Sequence, residues 1–277
     1  MAYYGGKTRL ADRIVALLPA HDHYVEPFAG SLAVLLAKRP SRIETVNDRD
    51  QLLMAFWQVL RDKPTELARA CALTPHSRAE YRDAQAVTDI GLIDELDEVE
   101  KARLVWLQIA QGRTGTLRKT GWRYYIDPAG TTSSMPTYLD AYVDRMAAAA
   151  ERLHRVSLEC RPGIEVVQAY GAFTNTCLYV DPPYLGSTRL GRNYRTEMTD
   201  RGEHVELLDA LLDARASVVL SGYANDLYDT ALAHWDRIEI STATGQGGTH
   251  QLRTEVIWSN RPISQPGLFD INEGTTA

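Results

Sequence analysis

Cysteine is scarce: three residues in 277, Cys71, Cys160 and Cys177, with no Cys-x-x-Cys spacing. An odd, scattered set excludes a disulfide framework and a cysteine zinc site. His21 and His23 have no acid or thiol at a recurrent zinc spacing, so no metal is expected. No apolar run reaches the roughly 18 to 20 residues of a membrane-spanning helix. The best short stretch, 14–20, follows Lys7, Arg9, Asp12 and Arg13 on an amphipathic pattern, which speaks against a signal peptide. Repeats are lacking, and the 44% hydrophobic and 24% charged content excludes collagen, coiled coil and bulk disorder. Together these absences point to a soluble protein of a reducing cytoplasm with no membrane partner.

Positive charge is also short, with 30 Lys and Arg against 36 Asp and Glu for a net charge of −6. Phosphate binding needs cations, so the total counts against a nucleic-acid partner. The distribution reverses that impression. Residues 83–100 carry seven acids and no Lys or Arg, whereas 101–126 carry six basic residues and no acid. A local basic surface therefore remains open.

What is present reads as α/β. Leu10, Ile14, Leu17 and Leu18 recur at helical spacing and stop at Pro19; 24–28 is an apolar strand. Ser31 is placed to cap a helix over 32–38, Pro40 follows it, and 43–47 is a second strand, which makes a βαβ opening. From 51 to 155 the pattern is helical, with candidates at 51–61, 65–73, 94–111 and 138–155, interrupted by a mixed Gly, Thr, Arg and aromatic stretch at 112–134 that reads as a hairpin or ordered loop. Strands return at 177–180 and 217–221, with a helix at 203–213 between them. Segments 237–241 and 252–258 flank a Gly-rich turn at 245–248 as an antiparallel hairpin at the sheet edge. The expected organisation is a doubly wound, mostly parallel sheet from 1–50 and 156–262, a mostly helical insertion at 51–155, and a poorly ordered tail at 263–277.

The segment richest in chemistry is Leu178-Tyr179-Val180-Asp181-Pro182-Pro183-Tyr184. Ligands of open α/β sheets bind at the carboxyl ends of strands, where Asp181 would fall. The prolines lack N–H donors, which leaves carbonyl oxygens and the Asp181 carboxylate as acceptors beside an aromatic ring. That set suits a planar group bearing NH2, such as the exocyclic amine of a nucleobase. Such an amine is a weak nucleophile, and acceptors at Asp181 and the Pro182 carbonyl favour the form that attacks a methyl group while Tyr184 stacks on the base. On local grounds alone, a strand ending in a Pro-Pro turn with a solvated Asp is the alternative.

Three further segments have readings of their own. Gly30, in Val25-Glu26-Pro27-Phe28-Ala29-Gly30-Ser31, lets a ligand approach the backbone at the start of a helix, or is an ordinary strand-to-helix turn. Asp48 stands where acids of nucleotide-binding folds accept ribose hydroxyls, about 20 residues past the first turn, with Asp50 as its competitor and as the N-cap of the next helix. Gly5-Gly6-Lys7-Thr8 fails as a phosphate-binding loop, because no strand precedes it. Arg113, Arg118, Lys119 and Arg123, interleaved with Thr114, Thr116, Trp122, Tyr124 and Tyr125, suit phosphate and base contacts, or form a solvated loop that neutralises the acidic run.

Asp181-Pro182-Pro183-Tyr184 resembles the D-P-P-Y motif of DNA amino-methyltransferases. Tyr3-Tyr4-Gly5-Gly6-Lys7 is similar to the aromatic-x-G-G-K motif of the Dam-type (D12 class) adenine-N6 enzymes, the 25–31 segment to their E-P-F-x-G motif, and Val46-Asn47-Asp48 to the acid-bearing motif that follows. All four occur in family order, over about 1–50 and 160–260. The resemblance implies a methyltransferase that flips an adenine from double-stranded DNA. Asp181, Pro182 and Tyr184 would be catalytic, and S-adenosylmethionine would be held by Tyr3, Lys7, Glu26, Phe28, Gly30, Asp48 and Asp181. The insertion would recognise the target through Arg113, Arg118, Lys119 and Arg123. Two departures stand out: Pro162-Gly163 where the family often has an acid, and Ser221-Gly222 where it often has Ser-Asn. Cytosine-N4 transfer and an inactive DNA-binding subunit stay open, and no companion restriction endonuclease is evident.

Overall fold

The computed structural model describes residues 6–124, 134–185, 198, 200–246 and 249–263. Among these, seven strands form one sheet: β1 His23–Glu26, β2 Ile43–Asn47, β3 Ser157–Glu159, β4 Thr176–Val180, β5 Ser217–Gly222, β6 Asp236–Gln246 and β7 Thr249–Ser259. Their order is β3-β2-β1-β4-β5-β7-β6. Strands β1 to β5 are parallel, and β7 runs antiparallel to both β5 and β6. The expected doubly wound, mostly parallel sheet is thus present, with the hairpin at its edge. Chain order reverses between β1 and β4, which makes the carboxyl ends of those two strands the natural ligand crevice.

Alternation along the strands supplies two cores. Tyr24, Tyr179, Val219 and Ile257 face one side, whereas Val25, Leu178, Val180, Val218, Leu220, Val256 and Trp258 face the other. The second face is covered by α9 Gly163–Gly171, α10 Arg201–Leu212 and α11 Asp226–Ala231 through Val166, Val167, Leu207, Leu208, Leu211 and Tyr228. The first face meets α1 Ala11–Val15, α2 Ala33–Ala37 and α3 Gln51–Asp62, and its core continues into α4 Pro64–Ala72, α5 Arg78–Asp89, α6 Glu98–Gln111, α7 Met135–Val143 and α8 Met146–Leu153. The helical region is therefore joined to the sheet by unbroken apolar packing rather than by a polar seam.

Several local expectations need correction. Ser31 caps nothing: α2 begins after Leu32, which adopts φ 55°, and no side chain caps it. Gly30 is also left-handed at φ 48°. The left-handed turn at Leu32 costs a non-glycine residue about 1–2 kcal/mol; complete burial of its side chain, worth roughly 1.5–3 kcal/mol, offsets this. The segment read as one helix over 138–155 is two, α7 and α8. The helix read from 94 begins at Glu98, behind a 3-10 turn at Leu92–Glu95. Asp50, by contrast, caps α3 as expected, accepting from the amides of Leu52 and Leu53. Expectations for the tail from 264 onward lie outside the described residues.

Candidate active site

At the β1/β4 reversal a cleft of about 120 Å³ is walled by Gly6, Lys7, Glu26, Phe28, Gly30, Asp48, Pro162, Gly163 and Asp181, among others. Five separate stretches of sequence therefore converge on one cavity. Tyr3 lies outside the described residues. All the other residues expected to hold a cofactor line this cleft.

Asp48 connects two of its walls. Its Oδ2 accepts from the Gly30 amide at 3.0 Å and its Oδ1 from the Asp50 amide at 2.9 Å, so one carboxylate fixes the turns after β1 and β2. Asn47 adds the third wall: its Nδ2 donates to the carbonyls of Pro27 (2.8 Å) and Arg161 (2.9 Å), and its Oδ1 accepts from the Arg161 amide (2.9 Å). Behind that clamp Gly163 presses on Phe28, and a Cβ there would fall 2.5 Å from the ring. Only glycine leaves this wall flat. At the mouth, Arg49 reaches Glu203 of α10 at 3.8 Å.

The floor is acidic. Glu26 ends β1, is 2% exposed, and its Oε1 accepts from the Tyr24 hydroxyl and the Leu35 amide, both at 2.8 Å. Burial dominates and lifts its carboxyl to about 8, although those two donors pull the other way. Burial likewise raises Asp48 to about 6 against the amides that favour its charge.

Asp181 stands where β4 ends. Its Oδ1 accepts from Lys7 Nζ at 2.9 Å and from the Ser221 hydroxyl at 3.0 Å. The single Ser221 O–H is engaged on Asp181, so the Tyr179 hydroxyl, 3.0 Å away, donates to the Ser221 oxygen in turn. Lys7 also pairs with Glu255 Oε1 at 3.1 Å and hydrogen-bonds the Tyr184 hydroxyl, which donates to that same Glu255 oxygen at 2.7 Å. Burial works against the Lys7 charge, but Asp181 and Glu255 outweigh it and hold its pKa above that of an ordinary lysine. Burial pushes Glu255 upward, with Lys7 opposing. Glu255 escaped the sequence reading because it lies in β7, a plain strand between β5 and β6 with no motif around it. The available signal was an acid spaced two residues from Ile257, on the strand face that turns inward.

A second, narrow cleft with only about 10 Å³ of room lies beyond the Asp181 turn, lined by Pro182, Tyr184, Leu185, Ser221, Tyr223 and Asn225, among others. Tyr184 and Tyr223 pack at 4.5 Å between ring centroids, tilted by 50°. Ser221-Gly222-Tyr223 thus supplies the far side of the pocket.

The helical region brings the four basic candidates into one ordered loop after α6. Gly112 and Trp122 form an antiparallel bridge, the Arg113 amide donates to Gly121 O at 2.8 Å, and the Arg123 amide to Gln111 O at 2.6 Å. Arg113 and Lys119 are exposed; Arg118 and Arg123 are half-buried. Arg123 secures the loop, donating from Nε to Gly112 O at 3.1 Å, and Lys119 pairs with Asp89 at 3.1 Å. Trp122 stacks on His76 at 4.2 Å and on Tyr124 at 5.8 Å, and the Arg78 guanidinium lies about 5 Å from both Trp122 and Tyr124. His76 and Arg78 were not singled out in the sequence, because some 45 residues separate them from the loop they meet. Tyr125 lies outside the described residues.

Over residues 3–244 the chain matches the model of the D12 class N6 adenine-specific DNA methyltransferases. The chain belongs to that family. Pocket chemistry alone left adenine and cytosine open as the base, and the family decides for adenine: this methyltransferase is an adenine-specific enzyme with DNA as its substrate. Among solved structures it is similar to a precorrin 8W decarboxylase from Methanobacterium thermoautotrophicum, at 11% identity over 91% of this chain and 88% of that one, TM-score 0.34. It is also similar to a precorrin-6y C5,15-methyltransferase from Geobacter metallireducens GS-15, at 9% identity over 91% and 86%, TM-score 0.36. A search of curated proteins finds no match. No helix among the described residues is long and apolar enough to cross a membrane.

Proposed function

We propose that the methyltransferase takes its methyl group from S-adenosylmethionine and delivers it to N6 of an adenine flipped out of duplex DNA. The observation that carries this reading is that the 181–184 turn borders two clefts, with Asp181 and Pro183 on one and Pro182 and Tyr184 on the other. The larger has a buried acidic floor and a flat Phe28–Gly163 wall, and the smaller is bordered by Pro182 and Tyr184. A ligand bearing a sulfonium, an ammonium and ribose hydroxyls fits the first: Asp48 retains lone pairs for hydroxyl donors, and the Glu26 carboxyl ionises more readily beside a cation. Lys7, Glu26, Phe28, Gly30, Asp48 and Asp181 would hold it, with Tyr3 by resemblance. When bound, it supplies an electrophilic methyl on a positively charged sulfur.

The chain's own residues do the rest. Asp181 and the Pro182 carbonyl accept the two hydrogens of the amine, while the Tyr184 ring takes one face of the base. The Ser221 hydroxyl holds the Asp181 carboxylate at its post. An adenine inside the stack leaves its N6 out of reach of this turn, so the base must leave the duplex. Arg113, Arg118, Lys119 and Arg123, together with the aromatic stack beside them, would contact the DNA, the cations on phosphate and the rings on bases. The recognition role of residues 51–155 belongs to the same proposal.

Calorimetry and fluorescence test the donor and the flipping. S-adenosylmethionine should bind the purified chain, and Asp48→Ala should weaken binding at least about tenfold, which corresponds to about 1.4 kcal/mol. 2-Aminopurine, placed at the adenine that modified-base sequencing finds methylated, should brighten on binding. Unchanged cofactor affinity in the variant removes Asp48 from that site; unchanged fluorescence argues against flipping.

A further inference from the structure

Accepting an amine hydrogen is the task proposed for Asp181, yet its Oδ1 already accepts from Lys7 at 2.9 Å. A neutral NH2 donor competes poorly with a buried ammonium for one carboxylate, since charge-assisted bonds are roughly twice as strong. The cation therefore needs somewhere else to stand. Glu255, 5% exposed, lies 3.1 Å from the same Nζ on β7, and its Oε1 also receives the Tyr184 hydroxyl. Nothing in the four sequence motifs includes it.

We propose that Glu255 is a positioning residue of the transfer site: it takes up the Lys7 ammonium when Asp181 turns to the substrate amine, and it sets the Tyr184 ring through its hydroxyl. The inference rests on the reading of Asp181 as the amine's acceptor. The two carboxylates lie almost equally far from Nζ, so a small movement transfers the cation without stranding it in a buried place, which would be costly. The pair and the cation together carry one net negative charge when both acids are ionised, matching the positive charge that grows on the amine nitrogen during transfer. Neutralising Glu255 leaves Lys7 drawn to Asp181 alone, where it blocks the amine while the cofactor cleft stays intact.

Steady-state methyl transfer by wild type, Glu255→Gln and Glu255→Asp, with S-adenosylmethionine affinity measured separately, tests this. Glu255→Gln keeps the size and an acceptor for Tyr184 but loses the charge; kcat should fall at least about tenfold while the cofactor Kd stays within about twofold. Glu255→Asp keeps the charge and leaves a gap, and should retain more kcat than Glu255→Gln. The reverse order would show that packing, not charge, is what matters there and would overturn the inference. So would a Glu255→Gln kcat equal to that of wild type. Wild-type transfer keeps the two claims apart: its absence rejects the reading of the site and the inference with it, whereas a wild-type rate shared by Glu255→Gln rejects the inference alone.

Discussion

Single side chains at this site are poised by burial. The Glu26 carboxyl releases its proton near 4.5 when unfolded but holds it to about 8 in the folded chain. The folded state thus binds the extra proton across that window, and its stability falls as pH rises from about 4.5 to about 8. Glu26→Gln keeps an acceptor for Tyr24 and Leu35 and removes the titration. Its stability should therefore pull ahead of wild type as pH rises from 5 to 8, by on the order of 1–3 kcal/mol, read as a growing difference in melting temperature. A difference between the two melts that stays flat with pH would mean that Glu26 is ionised throughout. Lys7 shows what residue types convey at this scale. Its motif placed it at the cofactor, and the structure adds that it bonds directly to Asp181 and Glu255. Such a partnership joins positions 174 and 248 residues apart and leaves no trace in local spacing.

Elements were legible where burial imposes a period. The apolar runs of β4 and β5, fully buried along their length, were readable because water is excluded from both faces, and the hairpin of β6 and β7 was marked by the Gly-rich turn in its sequence. The three-residue β3, never fully buried, carries no such pattern. Helix α5 buries only Tyr81, Ala84 and Gln85 and reads as polar, and α9 hides between Pro162-Gly163 and Gly171, residues that ordinarily mark loops. The Ser31 misreading has a similar origin, since a left-handed Leu32 is decided by tertiary burial. Gly112, which ends α6, carries a different constraint. Its dihedrals, φ −75° and ψ 146°, suit any residue, but a Cβ would meet Gln108 O at 2.4 Å. Gly112→Ala should therefore cost about 1–3 kcal/mol by steric displacement and loosen the loop that carries Arg113 and Arg123. A thermal melt reads this directly, and an unaltered melting temperature would show that the end of α6 yields freely.

At the scale of the molecule, the charge segregation seen in the sequence is partly spent inside the fold. Lys101 pairs with Asp94, Arg103 with Glu80 and Glu100, and Lys119 with Asp89, so the acidic and basic runs lie against each other. The solvated-loop alternative thus accounts for some of the cations, and the aromatic stack around Trp122 is what favours the proposed DNA contacts for the remainder. The turn after β4 borders both clefts, through Asp181 and Pro183 on the larger and Pro182 and Tyr184 on the smaller, and the proposed transfer depends on the Asp181 carboxylate. Incubation with methyl-labelled S-adenosylmethionine and mixed genomic DNA, digestion to nucleosides and mass spectrometry test it most directly. Labelled N6-methyladenine from wild type, reduced at least about a thousandfold in Asp181→Ala with melting unchanged, is the result this account predicts, a loss of about 4 kcal/mol of transition-state stabilisation. N6-methyladenine formed at the wild-type rate by Asp181→Ala would contradict it.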